Sequence, residues 1–518
     1  MVNTSGFEQR KGYMARSFLR DSLFSTAGGM SASLADLASG IVIARALGAS
    51  GAGTVALAVW IALVISRLVN LGLPLALSRY LPELRASNEA EQASGLAASI
   101  LQGCSLLSLI ILILGLVSIS TGYVLDTAWS GADLESTYWI LIILLAAVQG
   151  VANPFLGYLN GMQYFKYFGI VLFLSSVIRL GSIIIGAIFF GVTGALTGNI
   201  LGFALPAVLA LFPMSKRIVL NTKLKQRVLR FSCYAWSSHL IETLVWSRAE
   251  IFFLARYWGA DAVGLYSVGT SIANAAILLP TFMANPLLPY FGEQLGAKAF
   301  DELRATYNSA TKLIALMVLP ACFGGAAICP IVIPLIYGKD FAPAVPAAMI
   351  IVTSAAVSLI ANPAAKLIFA MERGSVFIFS NMIGGGLLLI SGILAVPHTG
   401  LLGASLIRAA SHSVVVGIEL WYVNRFIGYP IPVGALFRVM LASALSATGA
   451  YLCVSALSSP MSLAIAIPLG ATIYVILLRY LRVLDQRDKE LLIAAIQRAP
   501  TLVQVRLEKI LNYVVDAK

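Results

Sequence analysis

The chain has 518 residues, of which 59% are hydrophobic and only 11% are charged. A soluble protein of this size needs more charged side chains on its surface, so the composition excludes a soluble globular protein and indicates an integral membrane protein. The formal net charge of +12 is then a property of membrane topology and of contact with anionic lipid headgroups, and we do not expect nucleic-acid binding.

About fourteen apolar segments, each long enough to cross a bilayer, follow one another along the chain. The sequence therefore predicts an all-α polytopic membrane protein, followed at 485–518 by a cytoplasmic amphipathic tail. The predicted spans lie at approximately 19–46, 53–78, 95–120, 136–159, 167–190, 193–213, 230–257, 263–289, 308–336, 346–370, 375–397, 400–424, 434–457 and 461–482.

Basic residues between the spans predict the orientation in the membrane. The N-terminal residues and the segment 214–230 are rich in Lys and Arg, whereas the segment 121–135 has neither. Since positively charged segments stay in the cytoplasm, both termini are expected there. The five cysteines all fall within predicted spans and the chain has only three histidines, so we expect no disulfide framework and no metal site.

Two pairs of similar segments indicate an internal duplication. AAVQGVANPFLGYLNGM at 146–162 resembles AAVSLIANPAAKLIFAM at 355–371, and ARALGASGAG at 44–53 resembles ARYWGADAVG at 255–264. Each repeat contains about six spans, an even number, so both copies cross the membrane in the same direction and are related by an axis along the membrane normal.

The duplication predicts two lobes around a central cavity. We expect an N-terminal lobe at 1–215, a basic cytoplasmic linker at 216–229, a C-terminal lobe at 230–425 and two extra helices at 434–482. A cavity between two lobes is the geometry of alternating access. GASGAG is predicted to be a tight turn between helices, because no strand precedes this glycine-rich segment and no Lys follows it, as a phosphate-binding loop would require.

Prolines inside three predicted spans mark candidate hinges, at Pro154, Pro286 and Pro363, each preceded by Ala-Asn. A proline inside a helix removes one backbone hydrogen bond and favours a kink. The alternative is that these prolines have no hinge role, because proline is frequent in membrane-spanning helices.

Charged residues within the predicted spans are the candidate functional residues, since each costs about 2.5 to 3.5 kcal/mol at the centre of a spanning helix. Basic residues outnumber acidic ones, which predicts a cationic cleft for an anionic substrate. Ion pairing or snorkelling towards the membrane surface is the structural alternative. The candidates for binding a substrate diphosphate are Arg67, Arg179, Arg248 and Arg408, and those for ion coupling are Asp36, Glu242 and Glu250. Lys366 and Glu419 are predicted to lie near the inner surface, where a structural role is favoured.

Four segments carry a resemblance to a known family: ARALGASGAG, LGLPLALSRYLPEL at 71–84, LNGMQYFK at 159–166 and LIYGKDFAPAVPAAMIIV at 335–352. With them the chain resembles bacterial polysaccharide exporters of the oligosaccharide flippase type, the polysaccharide transporter family of the multidrug/oligosaccharidyl-lipid/polysaccharide exporter superfamily. The likeness extends over about residues 15–480.

The resemblance implies a non-enzymatic, two-lobed transporter of the bacterial inner membrane. It implies that the cargo is an undecaprenyl-diphosphate-linked oligosaccharide, a repeat unit of O-antigen, exopolysaccharide or capsule, which crosses to the outer leaflet. The expected partners are this lipid-linked oligosaccharide, membrane lipids, and a polysaccharide polymerase or chain-length protein. No cofactor is expected, although uptake of protons or sodium ions by buried carboxylates is a hypothesis for coupling.

Three other functions are alternatives. A multidrug or cation antiporter of the same superfamily would favour an acidic, aromatic cleft, whereas arginines dominate here. A lipid II flippase differs from the main interpretation only in its cargo. A membrane polysaccharide polymerase is disfavoured, because its chemistry needs a large polar outer loop with catalytic groups, and the longest predicted outer loop contains no His, Lys or Arg.

Overall fold

A computed structural model gives the fold. It describes the backbone of residues 4–87, 89–121, 135–215, 221–246, 249–284, 287–371, 373–457 and 459–483. Side chains are described for the same residues apart from 4–25, 86, 234, 238–246 and 289. The predicted amphipathic tail at 485–518 lies outside the described residues.

The chain divides into two compact units, Met1–Ser267 and Val268–Lys518. The first unit contains α1 (Thr4–Asn70), α2 (Leu73–Ala86), α3 (Ala90–Thr121), α4 (Ser136–Gly161), α5 (Phe165–Leu209), α6 (Leu211–Met214), α7 (Thr222–Trp246) and the first half of α8 (Glu250–Ala284).

The second unit contains the remainder of α8 and seven further helices. These are α9 (Leu287–Gly296), α10 (Phe300–Ile336), α11 (Val345–Ile360), α12 (Asn362–Ala370), α13 (Gly374–Tyr422), α14 (Val433–Leu457) and α15 (Ser462–Tyr480). A 3₁₀ turn at Lys339–Ala344 precedes α11, and a π-helical turn at Val423–Ile427 follows α13.

Within the described ranges the fold is that of a multi-pass membrane protein. All the regular elements there are helical, and ten helical stretches are long and apolar enough to cross a bilayer. Large apolar side chains lie on the outside of these helices, for example Ile113 and Leu114 on α3 and Phe189 and Phe190 on α5. Such surfaces are stable against lipid and unstable against water, so the predicted all-α membrane fold is confirmed.

Glycines with positive φ divide four of the long helices. Gly48 and Gly259 have φ/ψ of 68°/−170° and 75°/−174°. Gly191 and Gly400 have 61°/−137° and 56°/−135°. Glycine adopts positive φ without the steric cost of a Cβ, which lets the chain leave one helix and start the next within a residue or two. Each pair occupies equivalent places in the two predicted repeats, so the backbone itself repeats the duplication seen in the sequence.

Division at these glycines reproduces the predicted order of spans. The stretches on the two sides of Gly48, Gly191 and Gly400 correspond to consecutive predicted spans, and α7 with the first turns of α8 covers the predicted span at 230–257. The predicted turn at GASGAG is also present, with its break at Gly48.

One predicted span is interrupted in a way the apolar pattern does not show. The segment predicted at 53–78 is divided at Leu71 and Gly72, whose φ values are 45° and 71°. Gly72 is the N-cap of α2 and Pro74 lies in the first turn, a position that suits proline because no backbone N–H is needed there. At the break the Gly72 backbone packs directly against the backbone of Ser232 and Trp236, so protein covers the irregular segment, as irregular backbone near a bilayer requires.

Small residues bring helices of the first unit into backbone contact. A Cβ on Gly28 would lie 2.7 Å from the Cα of Gly169, so α1 and α5 touch without a side chain between them. Close approach at small residues is a main source of helix association in membranes, where the hydrophobic effect between helices is weak.

The two extra helices pack against α10 within the second unit. Ala327 of α10, Ala447 and Ala450 of α14, and Ala466 of α15 belong to one buried cluster. The Tyr474 hydroxyl donates a hydrogen bond of 2.8 Å to the carbonyl oxygen of Leu316. α14 and α15 are thereby fixed to α10.

The predicted linker at 216–229 is partly helical, because α7 begins at Thr222 and residues 216–220 lie outside the described part. The compact units divide at Ser267 and Val268, so α7 and the beginning of α8 belong to the same compact unit as the first repeat. The proposed lobes at 1–215 and 230–425 remain a prediction.

Candidate functional site

The equivalent turns of the two repeats contact each other within the first unit. A Cβ on Gly53 would overlap the carbonyl oxygen of Ala260 and lie 2.8 Å from the backbone nitrogen of Gly264. Reciprocally, a Cβ on Gly264 would overlap the carbonyl oxygen of Ala49 and lie 3.1 Å from the nitrogen of Gly53. This reciprocity is the signature of a local two-fold relation. The contact lies where the predicted orientation places the outer side of the membrane.

Arg179 and Asp36 form an ion pair between α5 and α1. The Nη2 of Arg179 lies 2.5 Å from Oδ1 of Asp36, and the same nitrogen donates to the carbonyl oxygen of Ala32 at 3.5 Å. The Arg179 side chain is 14% exposed and that of Asp36 is 64% exposed. A carboxylate exposed in a spanning helix is stable beside water and costly against lipid, so this pair marks a polar surface of the first unit.

We expect that replacing Arg179 with alanine lowers the free energy of unfolding by about 0.5–1 kcal/mol, because Asp36 loses this charged hydrogen-bond partner in a pair that is partly screened by solvent. The measurement is thermal unfolding of the purified protein in detergent. Exchanging the two charges, with Asp36→Arg and Arg179→Asp together, should recover part of the loss. A melting temperature of Arg179→Ala equal to that of the wild type would show that the pair has no stabilising role.

Arg67 lies in the last turn of α1, next to the break at Leu71 and Gly72. Its side chain is half-buried, and its Nε is buried without a hydrogen-bond partner among the described residues. A buried donor of this kind costs free energy unless a ligand or water satisfies it. The Nε of Arg179 is likewise buried without a partner among the described residues, but the Nη2 of Arg179 is already paired with Asp36. Arg67 is therefore the better candidate for binding a ligand.

A polar cluster lies beside Arg67. Ser66 accepts hydrogen bonds at its Oγ from Nδ2 of Asn70, at 3.5 Å, and from Nδ2 of Asn153, at 3.3 Å. Asn153 precedes the candidate hinge Pro154 on α4, so its bond to Ser66 joins α1 to α4 at the hinge.

The other predicted charges are placed as follows. Glu250, the first residue of α8, is 1% exposed. Arg408 is half-buried on α13. Arg248 and the side chain of Glu242 lie outside the described residues. Within the described part of the first unit, the structure therefore brings Asp36 and Arg179 together.

Glu419 and Lys366 are placed in the second unit. Glu419 is 3% exposed and accepts a hydrogen bond of 3.3 Å from the Ser380 hydroxyl, whereas Lys366 is half-buried on α12. Glu419 is therefore not a snorkelling side chain but a buried one.

The three candidate hinges differ. α4 is continuous through Pro154. The predicted span at 346–370 is divided at Ala361, and Asn362 and Pro363 form the first turn of α12. Pro286 lies outside the described residues, between the end of α8 at Ala284 and the start of α9 at Leu287. The hinge function of these prolines remains a prediction.

A basic pocket lies between α2 and α7, at the end of both helices that the predicted orientation places in the cytoplasm. Its volume is about 460 Å³, and the residues that line it are Arg79, Tyr80, Lys223, Gln226, Arg227, Arg230 and Phe231. We call it the α2–α7 pocket. It belongs entirely to the first unit.

Backbone contact fixes the two walls of the α2–α7 pocket. A Cβ on Gly72 would lie 2.5 Å from the carbonyl oxygen of Ser232 and 2.6 Å from the nitrogen of Trp236. Further along, Tyr80 and Val228 share a buried cluster, so the two helices run antiparallel against each other. Only glycine allows the approach at position 72, because any Cβ there would strike the α7 backbone.

Ion-pair and aromatic contacts orient the arginines of the pocket. Arg227 binds Glu83 with both terminal nitrogens, at 2.7 and 3.2 Å, and this hydrogen-bonded carboxylate raises the pKa of Arg227. The Arg79 guanidinium lies 4.7 Å from the centre of the Phe231 ring. Such cation–π contacts hold a guanidinium in place without neutralising it.

In the sequence, the basic residues near 223–230 indicate membrane topology, and no pattern marks Arg79 as a binding residue. A signal was present, because Lys223, Arg227 and Arg230 recur at helical spacing and so lie on one face of α7. The packing partner of that face was not predictable without the contact between α2 and α7.

Comparison with known proteins adds the following similarities. The family model described as "Polysaccharide biosynthesis protein" matches residues 18–294, and the model named MatE matches residues 239–394. Among curated proteins, the chain is similar to the teichuronic acid biosynthesis protein TuaB of Bacillus subtilis (strain 168), with 23% identity over 265 residues. The match covers 48% of this chain and 52% of TuaB, so the chain spans about half the length of the curated relative it matches.

Solved membrane transporters share the fold. The lipid II flippase MurJ in an inward closed conformation has a TM-score of 0.69 at 17% identity, over 88% of this chain and 97% of that chain. An inward-facing multidrug resistance MATE family transporter of the MOP superfamily has a TM-score of 0.65 at 18% identity, over 77% and 94%. A MOP superfamily transporter from Pyrococcus furiosus Vc1 (DSM3638), described as having a binding pocket of reverse polarity, has a TM-score of 0.57 at 15% identity, over 79% and 95%. At these identities the likeness concerns the fold alone.

Proposed function

The chain belongs to the family of polysaccharide biosynthesis proteins, and on that premise we propose that it is a flippase for an undecaprenyl-diphosphate-linked oligosaccharide. It moves this lipid from the cytoplasmic to the outer leaflet of the bacterial inner membrane by alternating access. The cargo is a repeat unit of O-antigen, exopolysaccharide or capsule. The observation that carries the proposal is the family match over residues 18–294, on a fold that MurJ shares.

Physical requirements of the cargo support the proposal. A diphosphate cannot cross hydrocarbon unaided, since the transfer of an ion into an apolar medium is prohibitively costly. Arginine guanidinium groups bind phosphate oxygens in pairs of charge-assisted hydrogen bonds. Arg67 offers a buried Nε without a partner among the described residues, and the polyprenyl chain remains in the lipid while the headgroup passes.

The contact between the repeat turns supports alternating access. Gly53 and Gly264 meet backbone to backbone on the predicted outer side. In our proposal this contact closes the outer side while the cargo binds from the cytoplasm, and its separation opens the outer side for release. A contact made only of glycine and alanine backbone forms and breaks without rearrangement of long side chains.

Coupling and protein partners are part of the proposal. Asp36, Glu242 and Glu250 are the carboxylates proposed to couple transport to a proton or sodium gradient. A polysaccharide polymerase or a chain-length protein is the proposed partner that receives the translocated lipid.

We expect deletion of the gene to accumulate the lipid-linked oligosaccharide in the inner leaflet, because synthesis continues while translocation stops. The measurement is the distribution of lipid-linked intermediates between leaflets, probed in intact and in permeabilised cells with an impermeant glycan-modifying reagent. A plasmid copy should restore the wild-type distribution. An unchanged distribution after deletion would contradict the proposed function.

The second candidate function is a multidrug or cation antiporter, which the MatE match over residues 239–394 favours. It predicts that overexpression raises resistance to cationic dyes and that the leaflet distribution of lipid-linked intermediates is unaffected. The two measurements together separate the candidates.

A further inference from the structure

We propose that the α2–α7 pocket is a phosphate-binding site that captures the diphosphate headgroup of the cargo lipid from the inner leaflet before translocation. This inference rests on the proposed function. It adds a binding site outside the arginine set predicted from the sequence. The side chains that bind the phosphate groups in this site are those of Arg79, Lys223 and Arg230.

The charge of the pocket selects an anion. Among the described residues, no salt bridge compensates Arg79, Lys223 or Arg230, whereas Arg227 is paired with Glu83. Three uncompensated cations therefore surround one cavity. A monoanion leaves this charge largely unbalanced, while a diphosphate carries several negative charges and many acceptor oxygens for the donors of arginine and lysine.

The pocket is shaped before a ligand binds. Glu83 holds Arg227 with two hydrogen bonds, the Phe231 ring supports Arg79, and the backbone contact at Gly72 fixes the angle between α2 and α7. Because these side chains and helices are ordered before a ligand binds, the protein loses less conformational entropy on binding. The volume of about 460 Å³ accommodates a diphosphate together with the first part of the groups it joins, since ligand pockets of about 300–1,000 Å³ hold small molecules of that size.

The surroundings of the pocket suit a lipid more than a soluble phosphate. Leu75 lies one helical turn before Arg79 on the same face of α2, and Leu71 precedes it at the break between α1 and α2. Their side chains are 43% and 40% exposed. On the predicted topology this apolar stripe continues from the basic pocket towards the bilayer, so a headgroup in the pocket leaves its hydrocarbon tail along Leu75 and Leu71.

The test compares lipid binding by two variants of the full-length protein. The first is the triple variant Arg79→Gln, Lys223→Gln and Arg230→Gln. The second is a matched control that loses three exposed basic residues which do not line the pocket, Lys166→Gln, Lys225→Gln and Arg425→Gln. Native mass spectrometry of protein released from detergent measures binding of undecaprenyl diphosphate, undecaprenol and phosphatidylglycerol. Thermal unfolding without ligand verifies that each variant is folded. If the triple variant does not fold, the single variant Arg79→Gln replaces it in the binding measurement.

We expect the pocket variant to bind undecaprenyl diphosphate at least about tenfold more weakly than the wild type, which corresponds to the loss of one charge-assisted interaction or more. Binding of undecaprenol should be unchanged, and the control variant should bind the diphosphate like the wild type. Wild-type affinity of the pocket variant for the diphosphate would overturn the proposal. Equal weakening for phosphatidylglycerol and the diphosphate would also overturn it, since the pocket would then be a phospholipid site.

The lipid-binding test of the capture site and the gene-deletion test of the proposed function can fail separately. Normal diphosphate binding by the pocket variant, together with accumulation of cargo in the inner leaflet after gene deletion, would remove only the capture site. An unchanged leaflet distribution after deletion would remove the proposed function, whatever the binding results.

Discussion

Replacing Gly53 with alanine is expected to lower the rate of transport by about 5- to 150-fold while the protein remains inserted in the membrane. The new Cβ would overlap the carbonyl oxygen of Ala260 and lie 2.7 Å from its carbonyl carbon, and backbone atoms cannot move aside as a flexible side chain can. Overpacking of this kind costs about 1–3 kcal/mol. Separation of the two turns relieves the clash, so the cost falls on the state in which they touch.

The free-energy cost of the clash changes the relative populations of the state with contacting turns and the state with separated turns. Destabilising the state with contacting turns by about 1–3 kcal/mol lowers its population relative to the separated state by about 5- to 150-fold. A transporter that must close its outer side in each cycle is then slowed at that step by a similar factor. Gly264→Ala should have the same effect, because its Cβ would overlap the carbonyl oxygen of Ala49.

The measurement is complementation of the deletion strain, with the amount of inserted protein determined by immunoblot of membranes. Gly103→Ala is the matched control, since a Cβ on Gly103 in α3 would meet no atom within 4 Å. Full complementation by Gly53→Ala at normal protein levels would show that the contact between the turns is not part of the cycle.

Replacing Arg67 with alanine is expected to lower the rate of transport by at least about 100-fold, because two charge-assisted hydrogen bonds to phosphate are worth about 3 kcal/mol or more. Its Nε is buried without a partner among the described residues, and it lies next to the helix break at Leu71 and Gly72. Arg67→Lys keeps the charge but loses the paired donors, so it should have intermediate activity.

Two controls separate a binding role from a structural one. Lys166→Gln removes an exposed positive charge elsewhere and should transport normally. Thermal unfolding shows whether Arg67→Ala is still folded. Arg67 lies in the last turn of α1, where the interaction of its charge with the helix dipole contributes less than about 1 kcal/mol to stability. Wild-type transport by Arg67→Ala would exclude this residue from essential binding.

The order of the spans was predictable from the sequence because apolar length is a strong local signal in membrane proteins. The glycine turns were partly predictable as well. GASGAG and its repeat mate at 259–264 indicated a tight connection, and Gly48 and Gly259 adopt the positive φ that such a connection needs. A local signal was sufficient because each turn depends on a few consecutive residues.

Interruptions inside apolar segments were less predictable. An apolar window does not distinguish a continuous helix from one divided at Leu71 and Gly72 or at Ala361. Proline alone was also ambiguous, since α4 continues through Pro154, whereas Pro363 lies in the first turn of a new helix. The difference depends on which neighbouring groups accept the freed backbone donors and acceptors, which is a tertiary property.

The site depended on contacts between residues far apart in the chain. Asp36 and Arg179 were assigned separate roles from the sequence, and the packing of α1 against α5 makes them one ion pair. The α2–α7 pocket likewise needs Arg79 and Arg230 to face each other across an antiparallel helix pair. Helical phase predicted which residues share a face of α7, but it did not predict what that face contacts.

Reconstitution into liposomes tests the central claim most directly. The purified full-length protein is incorporated into vesicles that contain a fluorescent undecaprenyl-diphosphate-linked oligosaccharide, and an impermeant reagent reports how much of this lipid reaches the outside. We predict that wild-type vesicles expose the lipid much faster than protein-free vesicles, and that Gly53→Ala vesicles expose it about 5- to 150-fold more slowly than wild-type vesicles. Equal rates with the wild-type protein and without protein would contradict the proposed flippase.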